Sequence, residues 1–129
     1  MRCICVRLRR GDDLLRSIES IVRRENISAG AVVSAVGCLY EICLRDAGGQ
    51  AVHHLVEDME ILSVHGTLSP DGCHLHLALS RKDLSALGGH LMPGCLVNTT
   101  CELVLLALEE TAFSRAFDPQ TGYDELTIG

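Results

Sequence analysis

The clearest structural signal in the chain is Glu60-Ile61-Leu62-Ser63-Val64-His65-Gly66-Thr67-Leu68, then Ser69-Pro70-Asp71-Gly72, then Cys73-His74-Leu75-His76-Leu77-Ala78-Leu79-Ser80. The middle block is a turn, because Pro fixes φ at the first corner and Gly suits the last position. The flanking segments are β-prone, so an antiparallel hairpin is expected, with strands Glu60–Leu68 and Cys73–Ser80. Regular closure of that turn places His65 opposite His76 and Thr67 opposite His74.

Working outward toward the N-terminus, Val52 to Leu55 reads as a short strand, and Gly48-Gly49 as a turn. Leu39 to Arg45 is another strand. A further strand starts near Ala31, with Gly30 and Gly37 as breaks. Leu14, Leu15, Ile18, Ile21 and Val22 recur at helical spacing and make one apolar stripe. Asp12 or Asp13 caps that helix, and Arg23 and Arg24 suit the negative end of its dipole. Cys3 to Leu8 alternates, with Ile4, Val6 and Leu8 on one face. Toward the C-terminus, Asp83 to Leu91, with Gly88-Gly89, reads as a loop. Leu96 to Leu108 is a long apolar strand, Asp118 to Tyr123 a turn and Glu125 to Ile128 a last strand. One helix among many antiparallel strands makes the expected fold class α+β.

Composition fits this reading. The chain has 129 residues, enough for one domain spanning 1–129. Aromatics are only 3 %, so Leu, Val, Ile and Ala must fill the core. The net charge of −6 opposes nucleic-acid binding, which depends on basic groups displacing counterions from phosphates. The seven Cys form no C-x-x-C pair and mostly lie among apolar neighbours, where they read as small buried hydrophobes. With no export segment evident, they point to a reducing, cytoplasmic location. No apolar run is long enough to span a membrane.

Chemistry concentrates on His74-Leu75-His76. Alternate residues of a strand share a face, so the two imidazoles project together while Leu75 and Leu77 turn to the apolar side. His90, following Gly88-Gly89, is the natural third ligand. Three neutral imidazoles suit zinc and leave a coordination position open for water or substrate. His65 is a candidate fourth ligand, or a donor that holds a ligating ring in place. The pattern equally fits exposed histidines on a polar sheet face. His53 and His54, being adjacent, point to opposite sides and read as surface residues. Glu102 is the candidate general base, and Glu60 is an alternative from another strand. Either carboxylate could instead pair with Arg115 or Arg45. Cys73 and Cys95 flank the histidines, but Cys73 should face away from His74. The chain lacks a nucleophile elbow, a P-loop and a dinucleotide-binding glycine pattern.

A run of segments in order resembles the PPC domain, the plant and prokaryote conserved domain. They include Gly11-Asp12-Asp13-Leu14, Ala35-Val36-Gly37-Cys38-Leu39, Met59 to Leu68, Asp71 to Leu77, Gly88-Gly89-His90-Leu91, Thr99-Thr100-Cys101-Glu102 and Thr121 to Leu126. The resemblance implies an antiparallel sheet with one main helix, similar in fold to acetolactate decarboxylase, and assembly as a homotrimer. It implies a zinc-type metal at the positions His74, His76 and His90. The family also carries a DNA-binding label, but this chain contains no Arg-Gly-Arg-Pro arm. The stretch that contacts partners in the plant domain is here Glu57-Asp58-Met59-Glu60-Ile61. Three copies at −6 each would carry about −18, which disfavours direct DNA contact. Three functions therefore stand open. They are a metal-binding trimer with a binding or regulatory role, a zinc-dependent lyase or hydrolase acting on a small oxygen-rich acid, and a DNA-binding protein. A small-molecule ligand at the metal fits the first two.

Overall fold

The computed structural model describes residues 1–129. Its elements are β1 (Arg2–Arg9), α1 (Leu14–Arg24), β2 (Gly30–Arg45), β3 (Val52–Leu68), β4 (His74–Ser80), β5 (Ala86–Leu91), β6 (Leu96–Ala107), β7 (Phe113–Asp118) and β8 (Tyr123–Ile128). Six strands form one antiparallel sheet in the order β1-β6-β2-β3-β4-β5, and β7 and β8 form a separate hairpin. The end of β2 also pairs with β5, through Leu44 with Leu91 and Arg45 with His90. Strands β2, β3, β4 and β5 thus meet in a closed arrangement at the end of β2, through those two residue pairs.

The hairpin follows the expected register, with His65 opposite His76 and Thr67 opposite His74. Asp13 is the helix cap: its carboxylate accepts from the Arg16 N–H at 3.0 Å and from the Gly94 N–H at 2.7 Å. One carboxylate therefore both starts α1 and ties it to the turn before β6. The helix buries Leu14, Leu15, Ile18, Ile21 and Val22 in a cluster with Leu39, Leu77, Leu103 and Leu105. Burying each such side chain contributes roughly 1.5–3 kcal/mol before chain entropy is counted.

Several sequence expectations change. The segments on either side of Gly37 are one strand, β2, and those from Val52 and from Glu60 are one strand, β3. Gly37 does not break β2. It lies where the β2–β6 register shifts, and a β-carbon there would stand 2.0 Å from the Thr100 carbonyl oxygen. Glycine lets the two backbones touch at this irregularity.

The segment read as a loop before Leu91 is strand β5. Gly88 and Gly89 do not serve as left-handed hinges. A β-carbon on Gly88 would lie 2.5 Å from the Leu77 carbonyl oxygen, and one on Gly89 would lie 2.8 Å from the Arg45 carbonyl oxygen. The two glycines let β5 wedge between β4 and β2. Phe113 to Asp118 is a strand that the sequence pattern did not reveal, because it pairs only with β8. The cysteines also differ: Cys95 and Cys101 are buried, but Cys3 and Cys5 are exposed on the outer side of β1. No helix is long and apolar enough to cross a membrane.

Candidate metal centre

Residues paired directly across antiparallel strands present their side chains on one face. Arg45, His90, His76 and His65 therefore stand in a row across β2, β5, β4 and β3. His74 lies two residues before His76 and shares that face. The ring centroids of His74 and His76 are 5.1 Å apart, those of His74 and His90 5.3 Å, and those of His76 and His90 5.8 Å. One ligand nitrogen from each ring lies within 4.8 Å of the other two. Around a tetrahedral zinc with Zn–N of about 2.0–2.1 Å, nitrogens stand roughly 3.3 Å apart. Side-chain torsions can cover that difference.

His65 does not join the trio. It flanks His76 on the side away from His90, about two strand spacings from that ring, and the converging nitrogens belong to His74, His76 and His90 alone. His53 and His54 are engaged elsewhere, at 2.9 Å from Asp46 and 3.1 Å from Glu41. Glu102 and Glu60 do not line the cavity beside the trio; Glu102 sits in the β1–β6–β2 ladders opposite Arg7 and Val36. The acids that do line it are Asp46, Asp71, Asp124 and Glu125. Cys73 lies partly buried, and that burial pushes its thiol up, away from the thiolate a nucleophile needs. Nor does any carboxylate pair with Arg45 or Arg115, contrary to one of the sequence readings; the Arg115 guanidinium reaches the Thr67 hydroxyl at 3.4 Å.

The electrostatics keep His74 and His90 neutral. Burial lowers the His90 pKa to about 4, with the Arg45 guanidinium and the other two rings adding to the effect. His74 is lowered too, first by burial, then by His76 and Arg115, with Glu125 opposing. A neutral imidazole is the form that ligates a metal. The Nδ1 atom of His90 is buried and has no hydrogen-bond partner. Leaving such an atom unmet costs about 1–3 kcal/mol, so it suits a ligand from outside the chain. The donor set therefore fits a zinc-type ion: three imidazole nitrogens, a face open to a cavity, and one buried nitrogen with nothing in the protein to bind.

That cavity has a volume of about 930 Å³. The turn after β2, the turn before β4 and the β7–β8 hairpin form its walls. Arg45, Arg115 and Tyr123 are residues of this site that the sequence reading did not place there. Their signal was hidden because β5 was not recognised as a strand and the β7–β8 hairpin was incompletely seen.

The model of the Plants and Prokaryotes Conserved (PCC) domain matches residues 1–109. The chain belongs to that family, the one abbreviated PPC above. The solved structure of a hypothetical protein from Salmonella cholerae-suis is similar to this PCC chain, with 39 % identity and a TM-score of 0.96, covering 99 % of this chain and 93 % of the other. A metal-containing protein from Archaeoglobus fulgidus shares 32 % identity at a TM-score of 0.84, covering 98 % and 94 %. The bifunctional protein GlmU of a Synechococcus strain is 47 % identical over 123 residues, 95 % of this chain. The PCC chain spans about a fifth of the length of the curated relatives it matches.

Proposed function

We propose that this PCC protein binds a zinc-type divalent ion through His74, His76 and His90 and acts as a binding or regulatory homotrimer in the cytoplasm. The observation that carries the reading is the approach of three ligand nitrogens to within 4.8 Å of one another, beside an unpartnered buried His90 Nδ1. The metal-containing relative from Archaeoglobus fulgidus supports it, because the two chains align over nearly their whole lengths. Seven free thiols suit a reducing compartment.

The trimer is supported by the outer face of the large sheet. Val36 and Leu62 are 54 % and 56 % exposed there, and the exposed Cys5 lies opposite Val104 on the same face. Apolar side chains gathered on one sheet face are the kind of surface that a second copy covers. Equilibrium sedimentation at micromolar concentration should give three times the chain mass. A monomer would remove the assembly while leaving the metal site standing.

A second reading, a zinc-dependent lyase or hydrolase acting on a small oxygen-rich acid, is favoured by the cavity lined by Arg45, Arg115 and Tyr123. When bound, zinc would supply Lewis acidity toward an oxygen of such an acid. Asp124 and Glu125, which line the same cavity, are then carboxylates available to move a proton. Direct DNA contact runs against the charge of −6.

The metal reading is tested on protein purified without a histidine tag. It should carry about one ion per chain, and replacing His74 and His76 together with Ala should remove it. Unchanged metal content in that double variant would refute the assignment.

A further inference from the structure

Two strands of the fold keep one side unbonded. Strand β1 is the outermost strand at its end of the six-stranded sheet, and from Arg2 to Leu8 its backbone bonds only across the β6 ladder. Strand β8 is the outer strand of the second hairpin. Its partner β7 is fixed to the body: the Phe113 N–H donates to the Ser28 carbonyl at 2.8 Å, the Ser69 hydroxyl to the Phe113 carbonyl at 3.2 Å, and the Arg115 N–H to the Asp71 carboxylate at 3.1 Å. From Asp124 to Ile128 the β8 backbone bonds only to β7. A free edge is a template for another strand, and a two-stranded hairpin by itself is marginal in water.

The two edges are complementary along their length. Strand β1 carries Arg2, Arg7 and Arg9 and no acid, while β8 carries Asp124 and Glu125 and no cation. Arg7, Arg9, Asp124 and Glu125 are all exposed, and none of them enters an ion pair within the chain. Arg7 donates to the Thr100 hydroxyl at 2.9 Å. These charges sit at the C-terminal end of β1 and the N-terminal end of β8. The opposite ends are uncharged at the surface: Cys3 and Cys5 are exposed on β1, and Ile128 is 71 % exposed on β8. Neither edge offers a counter-charge to a copy of itself.

We propose that β8 of one copy adds to the free edge of β1 of the next, antiparallel, with Asp124 and Glu125 against Arg7 and Arg9 and Ile128 against Cys3 and Cys5. Only the antiparallel sense sets charge against charge and uncharged end against uncharged end. Strand addition satisfies a row of main-chain groups on both sides, and the charge pairs fix the register. The joint is heterologous, because it brings two different surfaces together, and such joints close into rings when the rotation allows. It deepens the homotrimer reading and rests on it only for the number of copies in the ring. Tyr123, Asp124 and Glu125 also line the histidine cavity, so the joint anchors that wall from outside.

The test uses the full untagged chain at micromolar concentration. Arg7→Glu with Arg9→Glu should weaken assembly in sedimentation about tenfold or more, and so should Asp124→Lys with Glu125→Lys. Combining all four substitutions in one chain should restore assembly, which also shows that each double variant still folds. Ile128→Cys, treated with oxidised glutathione, should cross-link copies faster than the parent chain does, and adding Cys3→Ser and Cys5→Ser should abolish the cross-link. A trimer with neither the charge dependence nor the cross-link would overturn the joint and leave the homotrimer reading standing. A cross-linked, charge-dependent assembly of two or four chains would uphold the joint and overturn the trimer. A monomeric parent that does not cross-link would overturn both.

Discussion

His90 faces His76 directly across the β4–β5 ladder and faces Arg45 directly across the β2–β5 pairing. One short strand, inserted between two others, therefore supplies the third imidazole and sets a guanidinium beside it. Burial keeps protons off His90, and the cation adds to the effect.

This arrangement has a pH signature. His90 titrates near 6.5 in the unfolded chain and near 4 in the folded one, and His74 shifts in the same direction. Between those values the unfolded state binds more protons, so metal-free protein loses stability as pH falls from about 6.5 toward 4. Thermal melting across that range should show the midpoint dropping, and His90→Gln should flatten the drop. An equally steep fall in the variant would assign the effect to other groups.

Gly66 links the backbone to the site. It pairs with Leu75 at φ +147, and a β-carbon there would come within 1.8 Å of the His74 carbonyl oxygen. Gly66→Ala must push β3 and β4 apart at the first ligand. We expect a loss of about 1–3 kcal/mol in urea unfolding, as for other overpacked sites, together with weaker metal retention. A variant as stable and as metal-rich as the parent would show that the hairpin can yield here without cost.

The cysteines separate by environment. Burial pushes the Cys95 and Cys101 thiols up to about 11, while Cys3 and Cys5 stand exposed. A thiol reagent at neutral pH should label Cys3 and Cys5 in the native monomer and reach Cys95 and Cys101 only on unfolding. If the trimer covers the outer face of β1, Cys5 should be protected in proportion to assembly. Rapid native labelling of Cys101 would contradict the packing of β6.

The hairpin from Glu60 to Ser80 was legible because a Pro-Asp-Gly turn fixes register without help from the rest of the chain. The helix was legible from its stripe, and Asp13 from its position before Leu14. His74 and His76 followed from strand alternation alone. What stayed hidden depends on contacts distant in sequence. Gly88-Gly89 looks like a hinge until the backbones of β2 and β4 are seen pressing on it from both sides. His65 looked like a ligand because register places it beside His76, but register does not say that His90 takes the opposite side. Glu102 looked like a base because its strand was expected near the site. In the fold, the acids at the cavity come from the turns and the β7–β8 hairpin. Arg45 gave no local signal, since only the closure of β2 on β5 brings it to His90.

The most direct measurement is anomalous-difference density from crystals of the untagged chain, collected on either side of the zinc absorption edge. The account predicts one peak per chain, about 2.0–2.1 Å from a ring nitrogen of each of His74, His76 and His90. A peak at other residues, or three empty imidazoles in crystals grown with zinc, would contradict it.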